Sequence, residues 1–239
     1  MNANLVFTAA VQLLLLLLAV SVHGAAQARA AELCGDPTAS QLGAASLNPL
    51  RHFDLLGSLL FPALLLAFGF PVPVFGWGRP IPVVDANLHR PGWDAILVAA
   101  AGPAANLLIA LVVFGTLKLL LGVGLFVAPD HADFNQVVSP SPGAAPGSWA
   151  WPAAFCLSVA LNLNVLLFLF NLIPLPPLDG AGILHGLLPG SLGGPFGALA
   201  RNPGLSLAGL LVAWRLFDLV YPGAFSLLLA LLHPGITYR

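Results

Sequence analysis

Charged side chains are scarce in this chain, and their scarcity excludes most soluble folds. Only 7% of the 239 residues are Asp, Glu, Lys or Arg, whereas soluble domains carry about 25%. The formal net charge is −1 and the basic residues are scattered, so the sequence predicts neither a nucleic-acid-binding surface nor a polybasic lipid patch. With 59% hydrophobic residues, the composition predicts a multi-pass membrane protein whose partner is the lipid bilayer and not nucleic acid.

Cysteine is also nearly absent. The sequence has two, Cys34 and Cys156, which lie far apart and form no CxxC pair. This spacing argues against a disulfide framework and against a thiolate metal site. We expect two isolated thiols in apolar surroundings.

Long apolar runs are what the chain has instead, and they predict an all-α polytopic membrane protein. The first run, Leu5–Val22, approaches the roughly 20 residues that cross a bilayer core. No Lys or Arg precedes it, so we expect a retained first helix that continues towards Leu33 and not a cleaved signal peptide. The run Leu55–Phe70 is short and contains Pro62, which leaves open both a kinked span and a re-entrant element.

The later runs set the number and grouping of the helices. Leu205–Val220 predicts one more span, and Phe225–Leu232 predicts a short apolar hairpin arm. We therefore expect about five to six helical segments. Residues 1–190 would form a transmembrane core, and residues 191–239 would add C-terminal transmembrane segments.

The stretch FNLIPLPPLDG, Phe170–Gly180, interrupts one of the long runs. Its prolines, Pro174, Pro176 and Pro177, each remove a backbone donor and clash with the preceding turn, so the incoming helix must end or unwind there. Asp179 follows directly. An ionisable residue beside irregular backbone in a membrane protein predicts a functional site if protein or a water-filled cavity encloses it. The alternative is a helix that ends at the membrane surface, with Asp179 in a wet loop.

Four motifs follow one another along the chain: GDPTASQLGAASLNPLRHFDLLG (Gly35–Gly57), GWGRPIPV (Gly76–Val83), AGPAAN (Ala101–Asn106) and FNLIPLPPLDG (Phe170–Gly180). Together they resemble the site-2 protease family of intramembrane zinc metalloproteases, in its compact bacterial branch. The resemblance extends over residues 10–190 and implies a proline-broken helix carrying LDG, a bacterial inner (cell) membrane location, and transmembrane segments of client proteins as partners.

The resemblance fails at the HExxH motif of the family's first helix, where this chain reads HGAAQ. In such motifs the two histidines, at i and i+4, present two imidazoles to one zinc ion, and the glutamate acts as general base. The resemblance implies metal-ligand positions at His23, Gln27 and Asp179, and places Gly24 where the glutamate should be. Because an amide is a poor zinc ligand and glycine takes up no proton, no catalytic set is intact. Zinc, the family's cofactor, is left with two ligands, which argues against it here.

Asparagines and one proline mark further candidate positions. The resemblance implies that Asn106, Asn171 and Pro174 lie at substrate-binding positions. Asn162 and Asn164 also lie within apolar helices, where interhelical hydrogen bonds of about 1 kcal/mol each are the ordinary role of such side chains.

Three functions remain open at this point. The first is a catalytically impaired pseudoprotease whose retained cavity binds unwound transmembrane segments. The second is an active zinc metalloprotease with a rebuilt site, using His23, Asp179 and His52 as a substitute ligand from the LNPLRHFD segment. The third is a small transporter or channel that uses Asp179 at a broken helix, although the sequence has no visible inverted repeat.

Overall fold

The fold is all-α, as predicted, with one short hairpin. A computed structural model describes residues 3–67, 76–188, 197 and 202–238. Within these residues, four helices are long and apolar enough to cross a membrane. The helices are α1 (Ala3–Leu33), α2 (Thr38–Gln41), α3 (Pro49–His52), α4 (Phe61–Ala67), α5 (Pro91–Gly122), α6 (Ala150–Asn171), α7 (Asp179–Leu187) and α8 (Pro203–Leu232), with a π-helical turn at Leu56–Leu60 and a 3-10 turn at Asp85–Asn87.

Helix α1 runs as one helix of 31 residues to Leu33, as the sequence predicted. Its C-terminal half carries the HGAAQ segment, so His23 and Gln27 share a face one turn apart. The second apolar run begins with the π-helical turn and continues into α4. Residues 68–75 lie outside the described part of the chain, so the choice between a kinked span and a re-entrant element stays with the sequence prediction.

Helix α5 lies at the centre of the bundle and packs against α1, α6 and α7. It begins at Pro91, whose fixed φ suits the first position of a helix. The buried carboxylate of Asp94 accepts hydrogen bonds from the backbone N–H of Arg90 at 2.8 Å and from its guanidinium at 3.1 Å. Residues of the first turn of α5 therefore fix where this helix begins.

A loop with a small hairpin connects α5 to α6. Strands β1 (Phe126–Val127) and β2 (Ser139–Pro140) pair antiparallel. Asn162 donates to the Phe134 carbonyl of this loop at 2.8 Å, so its role is to anchor a loop and not to join two helices. Asn164 does join two helices, because its Oδ1 accepts from Asn106 of α5 at 2.9 Å.

The C-terminal residues form one helix, so the prediction of a span plus a hairpin arm was wrong. Helix α8 is capped by Asn202, whose side chain accepts from the backbone N–H groups of Gly204 and Leu205. It then continues through Pro222 to Leu232. Apolar packing of α8 on the bundle, through Ala213 and Phe217 against Phe170 and its neighbours, outweighs the hydrogen bond that Pro222 removes.

Candidate functional site

The proline-rich break places Asp179 at the start of a new helix. Helix α6 ends at Asn171, residues 172–178 form a turn, and α7 begins at Asp179. A side chain at Gly180 would overlap the carbonyl oxygens of Leu172 and Ile173, so only glycine lets α7 fold back this closely. The Asp179 side chain is 19% exposed and touches α1, which rejects the alternative of a wet loop.

Gly102 of the AGPAAN motif brings His23 into the bundle. A Cβ at Gly102 would overlap Nε2 of His23, so the imidazole rests directly on the backbone of α5. The small residues of this motif thus permit a close approach of α1 and α5. The His23 side chain is 14% exposed.

Both ring nitrogens of His23 face oxygen atoms. Nδ1 lies 2.6 Å from Oδ1 of Asn106, whose own amide group donates to Asn164 and to the Ala19 carbonyl. Since those two acceptors fix the orientation of the Asn106 amide, its Oδ1 must accept, and His23 Nδ1 carries a proton. Nε2 lies 2.8 Å from Oδ2 of Asp179. Two lone pairs would repel at this distance, so the geometry is that of an imidazolium paired with a carboxylate.

The contact between His23 and Asp179 is an ion pair more than a regular hydrogen bond. Oδ2 of Asp179 is buried and receives no hydrogen bond of regular geometry from the part of the chain that the structure describes. Oδ1 accepts from the amide nitrogen of Gln27 at 2.6 Å. The carboxylate is therefore held from α1 by two side chains one turn apart.

The residues present do not fit a catalytic zinc ion. A catalytic zinc ion is held by three protein ligands and a water molecule, and of the three implied ligand positions only His23 and Asp179 keep a side chain of the ordinary ligand types; the two lie in contact with each other. Gln27 occupies the family's second ligand position and donates to the carboxylate. Across the described residues, no group of three or more His, Cys, Asp or Glu side chains gathers to hold a metal.

His52 does reach α1, but not as a metal ligand. Its Nε2 lies 2.7 Å from the Ser46 carbonyl and so donates to it. Nδ1, the other ring nitrogen, faces Gly24, where an added Cβ would lie 2.7 Å from it. The prediction of His52 as a substitute ligand therefore finds no support in this geometry, because both ring nitrogens are directed at protein groups. Sequence could not reveal this, since the Ser46 carbonyl is brought to the ring by the turn before α3.

A cavity of about 460 Å³ opens beside these residues. Of the predicted positions, His23, Gly24, Gln27 and Asn171 line it. Asn106 does not, because it is fully buried behind His23 with its amide bonded to protein. Asn106 thus orients the histidine in this structure. The remaining lining residues are Val20, Gly76, Trp77, Gly78, Arg79, Pro80, Ile81, Leu167, Phe170, Pro177, Leu178, Ser206, Leu207 and Leu210.

The proline-rich turn and helix α8 both contribute to this wall. Pro174 is exposed outside the wall, and Pro177 of the same turn lines the cavity instead. Helix α8 contributes Ser206, Leu207 and Leu210, although no motif marks that helix. The segment Gly76–Ile81 belongs to the GWGRPIPV motif, and that motif was the sequence feature that could have indicated its place in the wall.

Comparisons with known proteins agree with this architecture. The sequence model described as peptidase family M50 matches residues 11–207. A curated relative from Bacillus subtilis (strain 168), named "Putative zinc metalloprotease YwhC", is 34% identical over 175 residues, which are 73% of this chain and 67% of the relative. No solved structure matches.

Proposed function

Because the chain belongs to peptidase family M50, the site-2 protease family, we propose that it is a catalytically impaired member that binds unwound transmembrane segments of client proteins. The membrane would be the cell membrane of a bacterium, since the curated relative comes from a bacterium, Bacillus subtilis. The family gives the scaffold, and the local chemistry of this chain argues for the loss of hydrolysis. The proposal concerns binding without cleavage.

The observation that carries the proposal is the direct ion pair between His23 and Asp179. At 2.8 Å the two remaining ligand side chains neutralise each other, and Gln27 adds a hydrogen bond to the same carboxylate. A family protease needs a third ligand and a general base at this point, and glycine at position 24 supplies no base. A rebuilt metal site would need His52, whose Nε2 is bonded to Ser46.

The cavity supports the binding half of the proposal. It has room for several side chains, and its wall is mainly apolar with the amide of Asn171 at one side. An unwound segment carries backbone N–H and C=O groups that need partners. Gln27 and Asn171 use their amide nitrogens within the protein, and their amide oxygens lie next to apolar surface, which suits a helix that has been opened locally.

The test uses a single-span test helix with Gly-Pro at its centre, beside a matched helix with leucines there. A photo-crosslinking amino acid replaces either Leu207, which lines the cavity, or Leu219, which is 80% exposed on the outside of α8. We expect the broken helix to crosslink at position 207, uncleaved, at least about five times more than the leucine helix, since open backbone must be enclosed. With the photo-crosslinking amino acid at position 219, the broken helix and the leucine helix should crosslink to the same extent.

Two further measurements complete the test. Asn171→Ala should lower the crosslinking at position 207, because it removes an amide from the wall. Elemental mass spectrometry of the purified protein should find well under one zinc per chain. Cleavage of the test helix that disappears in Asp179→Ala, together with one zinc per chain, would overturn the proposal in favour of an active metalloprotease.

A further inference from the structure

The imidazole of His52 occupies the space next to Gly24 where a side chain would project. A Cβ at Gly24 would lie 2.7 Å from Nδ1 and 3.0 Å from Cε1 of His52. Separations under 3.0 Å essentially never occur for a Cβ in real structures. The ring is 1% exposed. Position 24 is thus closed by packing, independently of the loss of a metal ligand at position 27.

The His52 ring is tethered and has little freedom to move aside. Its Nε2 donates to the Ser46 carbonyl at 2.7 Å. Its backbone carbonyl accepts from the N–H of Arg79 at 2.7 Å. A movement of the ring away from α1 would break its hydrogen bond to Ser46 unless the backbone of His52 moved as well, and the hydrogen bond from Arg79 holds that backbone. The ring therefore stays against Gly24.

The second tether joins His52 to the cavity wall. Arg79 lies in the segment Gly76–Ile81, which lines the cavity together with Val20, His23, Gly24 and Gln27 of α1. A Cβ at Gly78 would lie 3.0 Å from the His52 carbonyl oxygen, and Cδ1 of Ile81 would lie 3.2 Å from a Cβ at Gly24. Helix α1, the His52 ring and this segment therefore meet at one point.

We propose that His52 is a positioning residue for the cavity. It sets the spacing between α1 at Gly24 and the segment Gly76–Ile81, and it fills the space through which a glutamate at position 24 would have to pass. Its effect on client binding rests on the function proposed above, because His52 itself does not line the cavity. Its packing against Gly24 does not depend on that function.

A double-mutant cycle on positions 24 and 52 tests the packing. Gly24→Ala should lower the thermal unfolding midpoint in detergent by about 5 °C, since the methyl group is forced against a fixed ring. His52→Ala should also lower it. In the double variant the methyl group no longer meets the ring and fills part of the space that the ring has left, so the loss should be smaller than that of His52→Ala alone.

The control cycle uses Gly115 of α5 instead of position 24, because a Cβ at Gly115 would meet nothing within 4 Å. Gly115→Ala should leave the midpoint unchanged or slightly raised, both in the wild-type protein and in the His52→Ala variant. Strictly additive losses for Gly24→Ala and His52→Ala, or a Gly24→Ala protein as stable as wild type, would overturn the proposal. Gly24→Glu extends the same logic, and it should accumulate in the membrane only when combined with His52→Ala.

Client binding supplies a readout that fold stability alone does not move. At a temperature where all variants stay folded, His52→Ala should lower crosslinking of the broken test helix at position 207 at least threefold, and adding Gly24→Ala should restore part of it. His52→Gln keeps a donor for the Ser46 carbonyl but not the ring, so it should not restore crosslinking. Unchanged crosslinking in folded His52→Ala would reject the role in the cavity. If wild type itself does not crosslink, the proposed function fails, and the unfolding cycle alone then decides the packing of His52.

Discussion

At the scale of single residues, this site depends on positions where a side chain is absent. The His52 ring packs against Gly24, the His23 ring packs against Gly102, and two backbone carbonyls pack against Gly180. In each case an added methyl group would overlap an atom that other bonds hold in place. The arrangement of His23 and Asp179 is therefore set as much by these contacts as by the ion pair.

Gly102→Ala should displace His23 from Asp179. Alanine is favoured over glycine in a helix by about 1 kcal/mol, but here its Cβ would overlap Nε2 of His23. The overlap should outweigh the propensity and lower the thermal unfolding midpoint by about 5 °C. Gly122→Ala in the same helix meets nothing within 4 Å and should not lower it. An unchanged midpoint for Gly102→Ala would mean that the ring is free to leave α5.

What the sequence could predict at this scale was the meeting of His23, Gln27 and Asp179, because the order of the motifs fixed their register. The partners of those residues were beyond reach. Asn106 was expected to contact substrate, and its three hydrogen bonds to Ala19, Asn164 and His23 form only once α1, α5 and α6 are packed. A pattern in one chain identifies a polar side chain in a helix but not the atoms that surround it.

At the scale of elements, a buried carboxylate fixes the turn after α1. Asp36 is inaccessible to solvent and accepts hydrogen bonds from Thr38, through its backbone N–H and its hydroxyl, from Asn87, and from the backbone N–H of Val84. Burial alone would raise the pKa of Asp36, but these hydrogen bonds outweigh it and lower the pKa to about 2. The turn is thereby joined to the loop that precedes α5.

The stability of the protein should therefore fall in acid through Asp36. Its folded pKa of about 2 lies below the ordinary 3.8, so the unfolded chain binds a proton first. The contribution is complete above pH 3.8 and is lost as the pH falls towards 2. Thermal unfolding from about pH 5 to about pH 2 should show a smaller decline in Asp36→Asn, which starts from a lower midpoint. Asp130→Asn, which removes the same charge from an exposed loop, should follow wild type; a parallel decline in Asp36→Asn would contradict the assignment.

Proline had opposite consequences in two elements, and sequence could foresee only one. The three prolines of residues 174–177 end α6, as their missing donors require. A span that ends at Val220 and a separate arm from Phe225 were expected, yet α8 passes through Pro222 between them as one helix. One lost hydrogen bond is a small term beside the packing of Phe217 and Tyr221, whose rings stack at 5.0 Å between centroids. Three prolines within four residues were enough to predict that α6 ends there. For the single proline, Pro222, the tertiary contacts decided that the helix continues.

At the scale of the whole molecule, the cavity is completed by a helix that lies almost entirely beyond the matched family region. The match ends at residue 207, while Leu207 and Leu210 of α8 line the cavity. The helix rests on the proline-rich turn, because a Cβ at Gly209 would overlap the carbonyl oxygen of Pro176. We therefore expect access to His23 and Gln27 to depend on how closely α8 approaches the turn.

Gly209→Ala should move α8 away from this turn and open the cavity. In a background with both native cysteines changed to serine, Leu210→Cys reports access through its rate of labelling by a thiol reagent. Because the added methyl group must clear the carbonyl of Pro176, we expect labelling to rise at least about threefold and the unfolding midpoint to fall by about 5 °C. Gly223→Ala, in the same helix with nothing within 4 Å of its Cβ, should change neither quantity. Equal labelling rates in the two variants would show that α8 does not control entry, and the cavity would then have to admit its client past the segment Gly76–Ile81.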